Sequence, residues 1–250
     1  MKNKLLKKIS GIFGYKLIDK ELFKNERIIS NKSYLTIERL LKNLFEKRKV
    51  KFIIQVGAND GIRFDILNSY IKKYKINSLL VEPIKENFEN LKKNYQDCDF
   101  VKLENSAISV NDEIHYLYKV NSKNFENYDN HIPGISSFNI NHLLKHGVKK
   151  NHIIKDKVNS LSIKNLINKY NLETFDLLYI DAEGYDGNIV NDFLETTKIK
   201  PIIILEYIHI NNNIFKRLIN NLEFNNYKFF SINENLICYP EEDLEYLIFN

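Results

Sequence analysis

Residues 52–61, Phe52-Ile53-Ile54-Gln55-Val56-Gly57-Ala58-Asn59-Asp60-Gly61, constrain this chain more than any other stretch. The opening run of β-branched and aromatic residues predicts a strand covered on both faces, as in a parallel sheet. Its two glycines mark backbone that turns tightly and lets something approach closely. An amphipathic run follows, and a helix there would aim its first N–H groups at whatever occupies the turn. Such a unit suits a nucleotide-like cofactor.

From Lys51 onward strands and helices alternate, which predicts a doubly wound α/β sheet. Expected strands are Phe52–Val56, Ser78–Val81, Phe100–Leu103, Phe175–Ile180 and Ile202–Glu206, with a closing pair at Tyr227–Ile232 and Leu236–Tyr239. Ile66, Leu67, Tyr70, Ile71 and Tyr74 give the first intervening helix an apolar face, and Ile84, Phe88, Leu91 and Tyr95 give the second a buried stripe. Pro83 stands at or just before that second helix, where proline is tolerated. Ile163, Leu166, Ile167 and Tyr170 mark a third. Ile114–Val120 alternates like a strand, but 121–150 is polar and weakly periodic. The region from about 111 to 160 is therefore expected to be an insertion on the substrate side.

Residues 1–50 read as a basic, helical extension preceding a single domain at 51–250. Leu5, Ile9, Ile12 and Phe13 recur at helical spacing among lysines, and Tyr34, Ile37, Leu41, Leu44 and Phe45 do so again. The first pattern fits a peripheral membrane anchor or a helix packed on the domain with its lysines in water. Gly11 and Gly14 favour the packed helix. A net charge of +5 is too mild to imply a nucleic-acid partner. Cys98 and Cys238 have no metal-ligand spacing, so a reducing compartment fits. With no apolar run long enough to span a bilayer, and no signal-peptide pattern, the expected location is the cytoplasm.

In an open parallel sheet, ligands bind beyond the carboxyl ends of the strands. The notable polar residues fall at such ends: Asn59 and Asp60, Glu82, Asn105 and Ser106, Asp181 and Glu183, Glu206 and His209. Glu82 ends the second strand, where an acid accepts hydrogen bonds from ribose hydroxyls. A dinucleotide loop needs a second glycine where this chain has Asn59, whose side chain would crowd a diphosphate. A cofactor without phosphate, such as S-adenosylmethionine, tolerates it. A nicotinamide-dependent oxidoreductase is the rival enzyme, and a non-enzymatic module for anionic surfaces the rival binding protein.

Val56-Gly57-Ala58-Asn59-Asp60-Gly61, Val81-Glu82-Pro83, Asn105-Ser106-Ala107-Ile108 and Ile180-Asp181-Ala182-Glu183-Gly184-Tyr185-Asp186 together resemble the FkbM family of S-adenosylmethionine-dependent methyltransferases. The resemblance implies a class I methyltransferase fold: a mostly parallel, Rossmann-like sheet of seven strands with helices on both faces and an antiparallel strand in the last hairpin. It implies O-methylation of a hydroxyl on a sugar, glycan precursor or similar small molecule. It also places Gly57, Asn59 and Gly61 by the methionine part of the cofactor, with Asp60 beside them. Glu82 and Pro83 fall at the ribose, Ser106 and Ala107 at the adenine, and Asp181 near the sulfonium. Gln55 departs from the acid many methyltransferases carry before the glycine loop.

A hydroxyl acceptor must lose its proton, so a base or a metal is expected. Asp181, Glu183, Glu206 and His209 are the candidates, and Asp181 with Glu206 could hold a divalent cation. The alternatives are that Glu183 caps the next helix and that Glu206 pairs with a lysine. His131, His142 and His146 in the insertion could line an acceptor pocket, but their spacing is no recognisable metal triad and they read rather as solvated loop residues. Ser136-Ser137 resembles a serine pair frequent in the family.

Overall fold

The computed structural model describes residues 36–47 and 50–241. Leu5, Ile9, Ile12, Phe13 and Tyr34, which carry the expected N-terminal helices, lie outside the described residues. The chain divides into two compact units, Met1–Arg39 and Leu40–Asn250. The second holds every strand found among the described residues.

Its centre is a seven-stranded sheet. In chain order the strands are β1 (Phe52–Val56), β2 (Asn77–Val81), β3 (Val101–Glu104), β9 (Leu177–Ile180), β10 (Ile202–Glu206), β11 (Tyr227–Ile232) and β12 (Asn235–Pro240). The shorter β4 (Ala107–Ile108) through β8 (Ser160–Leu161) lie between β3 and β9. Across the sheet the order is β11-β12-β10-β9-β1-β2-β3. All neighbours are parallel except β12, which runs antiparallel to both β10 and β11. That order, with its one reversed strand inserted by the final hairpin, is the class I methyltransferase arrangement.

From β1 the chain steps one way to β2 and β3, and later the other way from β9 to β10. Right-handed crossovers put the connecting helices of the two halves on opposite faces. On one face α2 (Asn68–Tyr74) and α3 (Lys85–Asn94) connect the first three strands, and their Ile71 and Leu91 are fully buried. On the other lie α5 (Ile163–Lys169), α6 (Asp186–Thr196) and α7 (Asn212–Phe224). Their Leu166, Phe193 and Leu218 share one core with Ile54, Val56, Leu79, Leu178 and Ile203. α1 (Ile37–Lys47) stacks Phe45 on Tyr70 of α2, with ring centroids 4.6 Å apart. The order of connection reverses between β1 and β9, so the crevice for a ligand opens above those two strands.

Register then aligns the rim. Val56 lies beside both Val81 and Ile180, and Ile180 beside Leu205. The polar residues that follow these strands therefore emerge together at one edge.

Two expectations need correction. The helix after the glycine loop begins only at Asn68, and its entry is folded by the loop's own acids: Asp60 accepts from the backbone of Ile62 and Arg63, and Asp65 from that of Leu67 and Asn68. The backbone that a Cβ at Gly57 would meet is that of Asp181, after β9, and not a helix end. The stretch 121–150 is also more ordered than its polarity suggests. β5 (His115–Val120) pairs antiparallel with β6 (Ser136–Ser137) and β7 (Ile153–Val158). With α4 (Ile140–Lys145) they enclose a small core of Val120, Ile132, Ile135, Leu143 and Val148.

Candidate active site

The crevice holds a cavity of about 420 Å³. One wall comes from the ends of β1–β3. At Gly57 (φ +83°) a Cβ would stand 1.9 Å from the carbonyl oxygen of Asp181, so only glycine lets the β1 and β9 loops touch. The N–H groups of Gly57 and Ala58 both donate to the Val81 carbonyl at 3.0 Å. Asn59, also left-handed at φ +49°, donates its N–H to Glu82 Oε2 at 2.9 Å. Glu82 Oε1 accepts from the N–H of Ile84 at 2.9 Å, and Asn105 Nδ2 donates to the carbonyls of Glu82 and Pro83. Glu82 thus ties three strand ends together. Burial raises its carboxyl to about 7, against the pull of the Ile84 and Asn59 donors.

Gly57, Asn59, Glu82, Pro83, Ser106 and Ala107 all line the cavity. Asp60 and Gly61 do not. Asp60 takes Arg63 Nε at 2.6 Å and folds the loop; burial alone would raise its carboxyl, but the Arg63 and Ile62 bonds hold it below the usual Asp range. At Gly61 (φ +72°) a Cβ would meet Leu91 and Tyr95 within 2.6 Å, so this glycine seats the loop on α3. Asp65 lines the cavity beside Gln55, a placement the sequence reading did not anticipate. Its position just before an apolar run, where helix-start acids stand, was the available signal.

The facing wall comes from β9, β10 and the β11–β12 turn. Asp181, Glu183, Glu206 and Glu234 gather there. Asp181 is open to the cavity; desolvation by the surrounding walls, then the charges of Glu183 and Glu234, raise its carboxyl well above the usual range. Burial, then Asp181, Asp186 and Glu183, raises Glu206 to about 8. Glu183 does not cap α6. Its N-cap is Tyr185, without a side-chain cap bond, and Asp186 in the first turn accepts instead from the N–H groups of Ala182 and Gly184, bracing the loop before the helix. Glu206 has no lysine partner among the described residues; the basic group it faces is His209, whose Nε2 lies 3.8 Å away. Glu234 reaches the site from a hairpin turn, and nothing in the sequence marks it.

The insertion closes this side. Ser137 Oγ donates to the Glu183 carbonyl at 2.9 Å, which gives the serine pair a role in anchoring the insertion to the β9 loop. His142 Nε2 lies 2.8 Å from Glu183 Oε2. The rings of His142, His146 and His209 pack together with centroids 4.7–5.2 Å apart. His142 is buried and His146 and His209 partly so, which corrects the reading of His142 and His146 as solvated loop residues, while His131 is exposed as that reading has it. Burial, then neighbouring imidazoles, lowers both His146 and His209 below the ordinary histidine range.

The cavity wall also holds unmet hydrogen-bonding capacity. Six buried side-chain polar atoms lack a partner among the described residues, and four of them, Gln55 Oε1, Asn59 Oδ1, Asp65 Oδ2 and Ser106 Oγ, belong to residues lining this one cavity. Native proteins rarely leave such atoms unpaired, so a polar ligand is the natural partner. An adenosyl amino acid, with its hydroxyls, ammonium group and ring nitrogens, supplies donors and acceptors suited to this set.

No curated protein sequence matches the chain. Among solved structures it is similar to a methyltransferase FkbM from Methylobacillus flagellatus KT, at 13% identity and TM-score 0.45, covering 76% of this chain and 44% of that one. It thus spans less than half the length of that protein. It is also similar to a Staphylococcus aureus structure described as a caffeoyl-CoA O-methyltransferase, at 12% identity and TM-score 0.43, covering 94% and 90% of the two chains. In sequence, residues 55–229 match the methyltransferase FkbM domain, which takes in most of the sheet and residues of both cavity walls. The chain belongs to the FkbM family of S-adenosylmethionine-dependent methyltransferases.

Proposed function

We propose that this protein transfers a methyl group from S-adenosylmethionine to a hydroxyl of a sugar, glycan precursor or similar small molecule. The observation that carries the cofactor reading is the set of four unpartnered polar atoms around one cavity, beside a carboxylate with capacity for further donors. Glu82 would accept from the ribose hydroxyls, since Oε2 has one N–H partner and room for another. Ser106 and Ala107 would flank the adenine. Asp65, with one oxygen unpaired, would take the ammonium group in place of the acid that Gln55 replaces.

The bound cofactor supplies an activated methyl group on a sulfonium. The chain's part is to orient the acceptor and remove its proton. Asp181 and Glu206 suit that work: their raised proton affinities lie near neutrality, where a general base is most effective. Four carboxylates on the acceptor wall favour a neutral, hydroxyl-rich acceptor over an anionic one. Two free cysteines, Cys98 and Cys238, support a reducing compartment such as the cytoplasm as the place where that acceptor is met. No helix among the described residues is long and apolar enough to cross a membrane.

Calorimetry with S-adenosylhomocysteine tests the cofactor reading, with binding expected for the native protein and lost in Glu82→Ala. Absence of binding by the native protein would overturn it, and a fluorescence response to NADH would revive the oxidoreductase. Mass spectrometry of methylated sugars tests the acceptor.

A further inference from the structure

At the cavity mouth three histidines meet from distant parts of the chain. His142 and His146, four residues apart, sit on α4 and at its C-terminal cap, and His209 follows β10. One ligand-capable nitrogen from each lies within 4.8 Å of the other two. The four-residue spacing sets two imidazoles on one helix face, as in helical zinc motifs. Among the described residues no hydrogen bond occupies the ring of His146, and His209 comes no nearer to a carboxylate than 3.8 Å. His142 Nε2 lies 2.8 Å from Glu183 Oε2, and in the tautomer that donates to that carboxylate Nδ1 keeps a free lone pair. A carboxylate gripping the far N–H of an imidazole is how metal sites fix ring orientation and tautomer.

We propose that His142, His146 and His209 bind one divalent first-row transition-metal ion, zinc above all, with Glu183 as the partner that orients His142. Nitrogens bound at about 2.0–2.1 Å in a tetrahedral site stand about 3.3 Å apart, so the ion-free cluster closes by small side-chain shifts. His146 and His209, both partly exposed, are free to make them. Three imidazoles leave a fourth position open. They also select differently from the Asp181–Glu206 pair, whose oxygens suit a hard cation such as magnesium. His146, His209 and Glu183 line the cavity, so the ion would take a hydroxyl of the acceptor as its remaining ligand and lower the pKa of that hydroxyl. This last consequence rests on the methyltransferase reading; binding of the ion does not.

The test uses the full chain, stripped with a chelator and free of cofactor. Titrated with cobalt(II), it should take up one ion per chain and show the intense visible bands of a four-coordinate site, which zinc then displaces. His146→Ala and His209→Asn should each weaken zinc binding by about 100-fold, and Glu183→Gln by about 10–100-fold, with the thermal midpoint of the ion-free protein little changed. A weak, octahedral cobalt spectrum in the native protein would overturn the proposal, as would equal zinc affinity in the native protein and both histidine variants. The native spectrum tests the ion site by itself, even where a variant fails to fold. Calorimetry with S-adenosylhomocysteine on the same stripped sample reports separately on the methyltransferase reading.

Discussion

The two walls of the cavity are built in opposite ways. On the β1–β3 side the acids sit among donors: Glu82 accepts from two backbone N–H groups, and so does Asp65. The loops there are fixed before any ligand arrives. On the β9–β10 side the acids sit among acids, and burial first, then the charges of neighbouring carboxylates, raise the proton affinities of Asp181 and Glu206. One wall is preorganised for recognition, whereas the other holds electrostatic tension that a proton or a cation relieves. The difference implies a division of labour, with binding on the first wall and proton chemistry on the second.

Substitutions at the two walls should therefore fail differently. Asp181→Asn keeps the shape and a polar contact but removes the base, so turnover should fall by about 100- to 10,000-fold while S-adenosylhomocysteine affinity changes by about threefold or less. Equal losses in rate and affinity would erase the division. Glu82→Ala should do the reverse. Hydrogen bonds to a charged acceptor contribute about 1.5–3 kcal/mol each, so losing two ribose contacts should weaken the product complex by about 100-fold or more. Turnover at saturating cofactor should fall far less.

A third substitution probes the seam between the walls. Gly57→Ala puts a methyl group into the Asp181 carbonyl at a left-handed φ. Backbone strain of this kind costs about 1–3 kcal/mol before the clash is counted, and denaturant unfolding should show at least that loss. A stability unchanged from the native protein would mean that the two loops do not touch.

The same contrast explains what the sequence disclosed. On the recognition wall each residue follows its own strand, so the alternation of strand and helix placed Glu82, Asn105 and Ser106 at the rim without tertiary information. Asp60 and Gly61 misled because they adjoin Asn59 in the chain, yet the turn after it carries them toward α3 and away from the cavity. The opposite wall was legible only where it too follows strands, at Asp181 and Glu206. His142 meets Glu183 through the docking of a separate small sheet, and Glu234 arrives on a hairpin whose inserted strand β12 pushes β11 to the sheet edge. Local pattern carries no trace of either event.

The smallest expected effect is a slope in stability against pH, and it distinguishes the walls once more. An acid whose folded pKa exceeds its unfolded value holds a proton in the folded state that the unfolded state has lost, so stability falls as pH rises between the two values. For Glu82 that window runs from the ordinary glutamate value of 4.5 to about 7. For Glu206 it runs from 4.5 to about 8. The ligand-free protein should therefore lose stability steadily from mildly acidic to mildly basic pH, a trend measurable as the denaturant midpoint at several pH values. Glu82→Gln should lessen the slope between about pH 4.5 and 7 and Glu206→Gln between about 4.5 and 8, with Asp186, also raised to about 8 by burial, keeping part of it. Ligands should act on the same parts, because each lowers the pKa of the acid it touches. Ribose hydroxyls donated to Glu82 by S-adenosylhomocysteine would lessen the slope only between about pH 4.5 and 7, whereas a divalent cation near Glu206 would lessen it all the way from 4.5 to about 8. A ligand-free midpoint that rises across this whole range would mean that neither wall keeps its acids protonated, and the division between them would lose its electrostatic basis.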